Sequence, residues 1–296
     1  MRVLVIGATG YIGAAVSDEL RHAGHTVLGL ARTAAAESAL QARGDLAVSG
    51  SLEDPESLAR AAAGAEAVIH AASVLSSPDP GAVDRQAVSA LLSALKGSNK
   101  PFVYISGVWV YGDTRGRMLG ELGPLRPPPL VAWRPAVEQM ALEAKDQGIA
   151  SMVFRPGMVF GRGGGALAGF FQQGREEGVV RYIGSGENYW SAVHADDLAQ
   201  LCRRAIEEPA PGELFVACGG MPQQVKQIAL AVAAACGVEG KVESVPLETA
   251  RQRLGPVADC LAMDCRAAST KPARFFGWSV RHPSIFDEIF RGSYRV

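Results

Sequence analysis

A chain of 296 residues can bury a large core, and 48% hydrophobic with 20% charged residues is typical of a globular protein. A net charge of −1 without a basic cluster excludes a nucleic-acid surface, and the sequence shows no bilayer-length apolar run and no signal peptide. The five cysteines form no CxxC pair, which predicts no disulfide framework and favours reduced thiols in a cytoplasm. The histidines are not spaced as ligands, so no metal site is predicted.

The first predicted strand and helix enclose a glycine motif. Residues 3–6 form an apolar run typical of a strand buried on both faces, and a helical pattern extends from Tyr11 to about Ala23. A dinucleotide site needs three glycines before a helix whose N-terminus faces the pyrophosphate. Here Gly7 allows the tight turn, Gly10 lets the phosphates approach the backbone, and Gly13 lets the helix pack close to the strand. The motif therefore predicts cofactor contacts from Gly7, Thr9, Gly10, Tyr11, Ile12 and Gly13.

The second predicted strand covers residues 26–30, and Arg32 follows it. In this kind of fold an acidic residue here binds the ribose 2′-hydroxyl, whereas an arginine suits a 2′-phosphate. Arg32 therefore favours NADP(H), with NAD(H) as the alternative cofactor; a solvated surface arginine is the structural alternative.

Strands and helices then alternate. Helices are predicted over residues 34–43, 55–63 (with Asp54 as N-cap) and 81–97, and strands over 45–48, 67–70 and 101–106. This order predicts an α/β fold with a Rossmann-type, doubly wound parallel sheet, which binds ligands at the carboxyl ends of its strands. Further predicted cofactor contacts at those ends are Ser51, Leu52, Ala71, Ala72, Ser73 and Ser106. His70, within an apolar run, is predicted to be a core residue.

The second half continues with strands at 151–155, 212–217 and 242–245, and helices at 166–177, 222–236 and 283–291. We predict a dinucleotide-binding core over residues 1–160. A smaller C-terminal substrate lobe covers residues 161–296, of which about 184–217 return to the core.

Five segments together resemble the extended type of the short-chain dehydrogenase/reductase superfamily, which includes nucleotide-sugar epimerases and dehydratases. They are GATGYIG (7–13), HAAS (70–73), YISGVWVYGD (104–113), FRPGMVFGRGGG (154–165) and GSGENYWSAVHADDLA (184–199). The resemblance implies that a turn formed by Pro156, Gly157, Met158 and Val159 contacts the nicotinamide carboxamide. It also implies a homodimer through helices near 81–97 and 132–148, with a monomer as the alternative.

The chain departs from that family at its acid–base residues. The family's Tyr and Lys, in YxxxK spacing, correspond here to Trp133 and Val137, and Gly107 falls at the catalytic Ser position. The chain therefore resembles an atypical member. Replacement candidates for catalysis are Ser106, Tyr111 and Arg134, although a strand cap, a packed ring and a solvated arginine are the respective structural alternatives.

The predicted substrate pocket is poor in charge. Its candidates are Gly107, Val108, Trp109, Trp133, Arg162, Tyr189 and Trp190. A diphosphosugar would require several cations. We therefore predict an NADP(H)-dependent reductase acting on a small, fairly apolar carbonyl compound or activated alkene. The alternatives are a non-catalytic NADP(H) sensor, which the missing YxxxK favours, and an epimerase of a sugar or nucleotide sugar.

Overall fold

In the computed structural model, which describes residues 1–72, 74–75 and 77–295, strands and helices alternate along the first two thirds of the chain. The strands are β1 (Arg2–Ile6), β2 (Thr26–Ala31), β3 (Leu46–Ser49), β4 (Ala67–His70), β5 (Pro101–Ile105), β6 (Ala150–Pro156), β7 (Met158–Phe160), β8 (Val180–Ile183), β9 (Tyr189–His194), β10 (Glu213–Ala217), β11 (Gly219–Gln224) and β12 (Val242–Val245). The helices are α1 (Tyr11–His22), α2 (Ala34–Ala42), α3 (Pro55–Ala63), α4 (Pro80–Leu95), α5 (Arg134–Glu143), α6 (Gly165–Glu176), α7 (Ala195–Glu207), α8 (Val225–Ala235), α9 (Leu247–Leu254), α10 (Val257–Ala262), α11 (Lys271–Phe276) and α12 (Ile285–Arg291).

Seven parallel strands form the main sheet, in the order β10-β6-β5-β4-β1-β2-β3. The strand order reverses next to β1, so the carboxyl ends of β1 and β4 flank the crevice in which such sheets bind ligands. One face packs against α1 and α7, and the other packs against α3, α4 and α5. The predicted α/β, doubly wound parallel sheet is confirmed.

A second hydrophobic core lies among the C-terminal elements. The three-stranded sheet β11-β9-β7 and the parallel pair β12-β8 surround it together with α6, α8 and α12. Its largest side chains include Phe160, Phe171 and Trp190. The division of the chain at residue 160 stays a prediction, although β10 does join the main sheet beside β6. None of the helices within the described residues is long and apolar enough to cross a membrane.

Local signals predicted the ends of most of the predicted elements to within one or two residues, but they did not predict β7, β8, β9, α9, α10 or α11. Asp54 caps α3, as predicted, by accepting hydrogen bonds from the N–H groups of Glu56 and Ser57. The predicted helix near 132–148 contains α5 only from Arg134 to Glu143, with 3-10 turns on either side. Pro135 lacks a donor and is tolerated in the first turn of a helix, so α5 begins beside it. Strand β11 was not predicted, since its pairing with β9 is its only strong determinant.

Candidate active site

The first of two adjoining cavities has a volume of about 760 Å³ and lies at the carboxyl ends of β1, β2, β3 and β4. The fold brings together here most of the predicted cofactor residues. They are Gly7, Thr9, Gly10, Tyr11, Ile12, Arg32, Ser51, Leu52, Ala71 and Ala72. Ser73, also predicted as a cofactor contact, lies outside the described residues.

The glycine motif forms the floor of this cavity. Gly7 has φ +89°, and a Cβ atom on it would lie 2.8 Å from the backbone of Ala72. Gly13 does not line the cavity; a Cβ there would lie only 2.0 Å from the carbonyl oxygen of Gly7, so its role is to let α1 pack on the turn. The Tyr11 and Ile12 N–H groups lie in the first turn of α1, where donors have no partner within the helix. The bare backbone and these donors fit the pyrophosphate of a dinucleotide.

The part of the first cavity that follows β2 and β3 carries both signs of charge. Arg32 is exposed and is the only cation among the described residues of the lining. Glu53 lines the same cavity, and the sequence did not indicate it, because an acid four residues past β3 in a helix-capping loop looks like a solvated side chain. Thr33 is held by α2, where its hydroxyl accepts a hydrogen bond from the Ala36 N–H. Arg32 therefore remains the side chain on which a 2′-phosphate would depend.

The second cavity has a volume of about 390 Å³ and shares Tyr11 and Ile12 with the first. Its lining is mostly apolar and comes from the segment after β5, the start of α5, the turn between β6 and β7, and the start of α6. Among the predicted residues it contains Ser106, Gly107, Val108, Trp109, Arg134, Pro156, Gly157, Met158 and Val159. A dinucleotide in the first cavity would extend its nicotinamide end toward this lining.

Ser106 is connected to a buried ion pair. Its Oγ donates a hydrogen bond of 2.5 Å to Oε1 of Glu138. Glu138 in turn accepts from Arg155, whose Nε lies 3.1 Å from each carboxylate oxygen and whose Nη2 lies 2.5 Å from Oε2. Both charged side chains are at most 4% exposed. Because the Ser106 proton is directed at Glu138, the hydroxyl offers the cavity acceptor lone pairs.

Arg134 begins α5 and reaches into the second cavity. Its Nη1 donates to the carbonyl oxygen of Ile105 at 3.1 Å, and its guanidinium carbon lies 5.6 Å from the centre of the Trp133 ring. These contacts place a positive charge at the end of β5. Arg134 is half-buried here, so the alternative of a solvated helix face does not describe it.

Trp133 stands at the position that the resemblance gives to the catalytic tyrosine, but it is not among the residues that line the second cavity. Its indole Nε1 donates to Oδ2 of buried Asp84 at 3.0 Å, and Tyr104 donates to the same oxygen at 2.6 Å. His70 contacts Oδ1 at 3.1 Å, which agrees with its predicted place in the core. Burial alone would raise the pKa of Asp84, but the His70, Tyr104 and Trp133 hydrogen bonds lower it to about 2.

The position of Tyr111 does not support a role in catalysis, for which it was a candidate. The side chain is 1% exposed and lies outside the linings of both cavities. Its hydroxyl donates to the carbonyl oxygen of Gly120 at 2.8 Å and accepts from Arg155 at 3.1 Å. Burial raises the pKa of Tyr111 to about 12. The alternative reading, a ring packed under its loop, describes this residue.

Three other predicted pocket residues also lie outside the second cavity. Arg162 bridges Asp18 and Asp196, at 2.5 Å to each, and so ties the glycine-rich loop to α1 and α7. Trp190 is buried in the C-terminal core, where its Nε1 donates to the Leu261 carbonyl. Tyr189 lies under the guanidinium of Arg266, which is 3.9 Å from the ring centre. For all three, long-range partners that a sequence does not show decide the orientation.

Glu138 and Arg155 were missed as functional candidates, although the sequence carried a signal. Arg155 interrupts an otherwise apolar strand, and a charge in such a place requires a buried partner. Glu138 lies four residues after Arg134, so one face of α5 carries both. That spacing does not show that Glu138 pairs with Arg155 and not with Arg134.

One group of metal-ligating side chains lies outside both cavities, and sequence spacing did not indicate it. Single ligand atoms of His194, Asp196 and His282 lie within 4.8 Å of one another. The two imidazole rings are stacked, with centroids 4.1 Å apart and an angle of 24°, so their in-plane lone pairs run nearly parallel instead of converging. Nδ1 of His194 also accepts the Asp196 N–H as the cap of α7. This geometry is poorly suited to a metal ion.

Comparison with known proteins agrees with this architecture. The model of the NAD dependent epimerase/dehydratase family matches residues 3–218. The uncharacterized protein YLL056C of Saccharomyces cerevisiae is 31% identical over 303 residues, which cover all of both chains. A Stigmatella aurantiaca protein, named as the ketoreductase of a 4-hydroxy-2-methyl-3-oxo-4-farnesyl-dihydroquinoline-1-oxide, is 25% identical over 85% of this chain and 78% of its own. The solved structure of the Thermus thermophilus UDP-glucose 4-epimerase in complex with NAD aligns with a TM-score of 0.79 at 21% identity, over 99% of this chain and 98% of that one.

Proposed function

The chain belongs to the NAD-dependent epimerase/dehydratase family, and we propose that within this family it is an NADP(H)-dependent reductase of a small, fairly apolar carbonyl compound or activated alkene. The observation that carries the proposal is the second cavity. It adjoins the dinucleotide cavity, is lined mainly by apolar groups, and contains one arginine and one serine where a polar substrate group would be held. Such a lining matches a small ligand with one polar group.

The first cavity would hold the cofactor through backbone and one charged side chain. Tyr11 and Ile12 N–H groups would bind the pyrophosphate, Arg32 the 2′-phosphate, and the small side chains of Ala71 and Ala72 leave room for the chain of the dinucleotide. When bound, NADP(H) supplies a hydride donor or acceptor beside the second cavity. Everything else that the reaction needs has to come from the protein or from water.

Arg134 would bind and polarise the substrate oxygen. Its guanidinium is permanently charged and keeps donors beyond the one used on Ile105, so it stabilises negative charge that develops on that oxygen. The apolar residues around it exclude water and strengthen this interaction. The ketoreductase name of the Stigmatella relative supports a carbonyl substrate, although its identity to this chain is only 25%.

An epimerase of a sugar or nucleotide sugar is less well supported by the site. That reaction needs acid–base groups on the substrate, and a diphosphate needs several cations, whereas Arg134 is the only charged side chain in the described lining of the second cavity. The non-catalytic NADP(H) sensor remains the second candidate, because no tyrosine–lysine pair occupies the usual place in α5.

The first experiment is a fluorescence titration with NADPH and separately with NADH, followed by a panel of carbonyl and enone substrates. We expect NADPH to bind more tightly, and Arg32→Ala to remove the difference while Arg60→Ala, an exposed arginine on α3, leaves it unchanged. Equal affinities would remove Arg32 as the selecting residue. Binding without oxidation of NADPH by any member of the panel would favour the sensor, and binding of neither cofactor would refute both.

Location and assembly follow as lesser proposals. The five cysteines, all free thiols in the described structure, suit a reducing cytoplasm. We propose a homodimer, with a monomer as the alternative, and light scattering after gel filtration distinguishes them.

A further inference from the structure

The second cavity holds a positive charge that nothing nearby balances. Arg134 is half-buried, and no carboxylate of the described residues lies within 4.0 Å of its guanidinium nitrogens. The nearest acid along α5, Glu138, is engaged by Arg155 and Ser106. A cation in apolar surroundings is unfavourable without a partner. A negative charge on a ligand would supply such a partner.

The hydroxyl groups that line the second cavity donate their protons to other protein groups. Ser106 donates to Glu138 at 2.5 Å, and Tyr11 donates to the carbonyl oxygen of Gly161 at 2.7 Å. A hydroxyl has a single proton, so each of these two groups can only accept a hydrogen bond from a ligand. Burial also raises the pKa of Tyr11 far above its usual range, so the proton stays on this hydroxyl and in its hydrogen bond to Gly161. Among the described lining residues, the Trp109 indole and Arg134 are then the side chains that offer the ligand a donor, and Arg134 is the one that carries a charge.

We propose that the second cavity is an oxyanion receptor, in which Arg134 binds a conjugated oxygen that is anionic, or becomes anionic in the reaction, and the protein supplies no proton to it. This inference rests on the proposed reductase function and narrows its substrate to conjugated carbonyl compounds such as enones. When hydride from the reduced nicotinamide cofactor, which is oxidised, forms a bond to the β carbon of an enone, the C=C electron pair becomes the double bond between the α and carbonyl carbons, and the C=O electron pair moves onto the oxygen. The enolate is held by Arg134 until water gives a proton to the α carbon. An isolated ketone would form a far more basic alkoxide, which needs an acid that this cavity lacks.

Binding of 4-nitrophenol tests the receptor without any turnover. Absorbance reports directly whether the bound phenol is ionised, and 4-nitroanisole, its uncharged methyl ether, has almost the same shape. We expect the phenolate to bind about 10- to 100-fold more tightly than the ether, the range of one or two charge-assisted hydrogen bonds. The titration is made with the protein alone and with the protein saturated with NADP⁺.

Variants assign the effect to one side chain. Arg134→Gln should remove the preference for the anion, whereas Arg134→Lys, which keeps the charge, should retain part of it. Arg85→Gln changes an exposed arginine on the neighbouring helix α4 and should leave the preference unchanged. Equal binding of phenolate and ether by the unaltered protein, or an anion preference that survives Arg134→Gln, overturns the proposal. The proposal is also overturned if Arg134→Gln loses NADPH binding but still prefers the phenolate to the ether.

The two proposals fail separately. If the phenolate preference depends on Arg134 but no carbonyl or enone oxidises NADPH, the reductase function is refuted and the oxyanion site stands. If saturated ketones are reduced and the phenolate preference is absent, the reductase stands and the oxyanion receptor is refuted. Deuterium from labelled NADPH provides a second readout, since we expect it at the β carbon of an enone and not at the carbonyl carbon.

Discussion

Truncation of Glu138 to alanine should destabilise the protein severely, because it leaves a buried arginine without its counter-charge. Arg155 would lose contacts of 3.1 and 2.5 Å to the carboxylate and keep only the Tyr111 hydroxyl at 3.1 Å and the Glu121 carbonyl at 3.4 Å. Ser106 would lose its acceptor at 2.5 Å. Removal of one partner of a buried ion pair typically costs about 3–5 kcal/mol, and a domain of ordinary stability has only about 5–15 kcal/mol.

Urea unfolding followed by tryptophan fluorescence and circular dichroism measures this loss. We expect Glu138→Ala to lower the free energy of unfolding by about 3 kcal/mol or more. Glu138→Gln, which keeps an acceptor for Ser106 and removes the charge, should lie between the alanine variant and the unaltered protein. Glu143→Ala, on the exposed face of the same helix, should change stability by less than about 0.5 kcal/mol.

A double variant separates the desolvated charge from the lost packing. Glu138→Met combined with Arg155→Met removes both charges and keeps the volume, so it should be more stable than Glu138→Ala by about 2 kcal/mol or more. If the alanine variant loses less than about 1 kcal/mol, or the double variant is less stable than either single methionine variant, the buried pair is not what stabilises this part of the site, and the reasoning is refuted.

Three further predictions follow. Gly13→Ala should cost about 3 kcal/mol of stability and abolish NADPH binding, because its Cβ would lie 2.0 Å from the backbone oxygen of Gly7. The control is Gly169→Ala, at an exposed position on α6 where a Cβ has nothing within 4 Å, and it should be neutral or stabilising in the same assays. The pKa of Asp84 is lowered in the folded state from 3.8 to about 2, so the contribution of its carboxylate to stability is complete above about pH 4 and is lost toward pH 2. Between these pH values, the free energy of unfolding of the unaltered protein should fall by about 2 kcal/mol more than that of Asp84→Asn. Equal dependence on pH in the two proteins would contradict this prediction. Burial lowers the pKa of His194 in the folded protein, so as the pH falls the unfolded chain takes up this proton before the folded protein does. The free energy of unfolding should therefore fall as the pH drops below about 6.5, and it should fall less in His194→Asn. The same pH dependence in that variant would show that another group causes the fall.

Short-range patterns predicted most of the residues that line the first cavity. The turn from β1 to α1 depends on glycines three residues apart, and the cap of α3 on Asp54 and Pro55, so each determinant lies within one turn of the chain. Arg32 was placed beside the first cavity by its position after β2 alone. In each case the backbone geometry of a strand followed by a helix fixes where the side chain lies.

The chain by itself thus determined the alternation of strands and helices in its first half, the glycine floor of the first cavity and the loss of the usual tyrosine and lysine, because these depend on residue types at fixed local spacing. Only the tertiary structure decided which polar groups face the second cavity. Ser106 reaches Glu138 across 32 residues, and Trp133 reaches Asp84 across 49. Such pairs form when distant strands and helices pack, and burial then forces each polar group to find a partner. Tyr111 therefore turned away from the cavity, whereas Arg134, which found no acid, turned toward it.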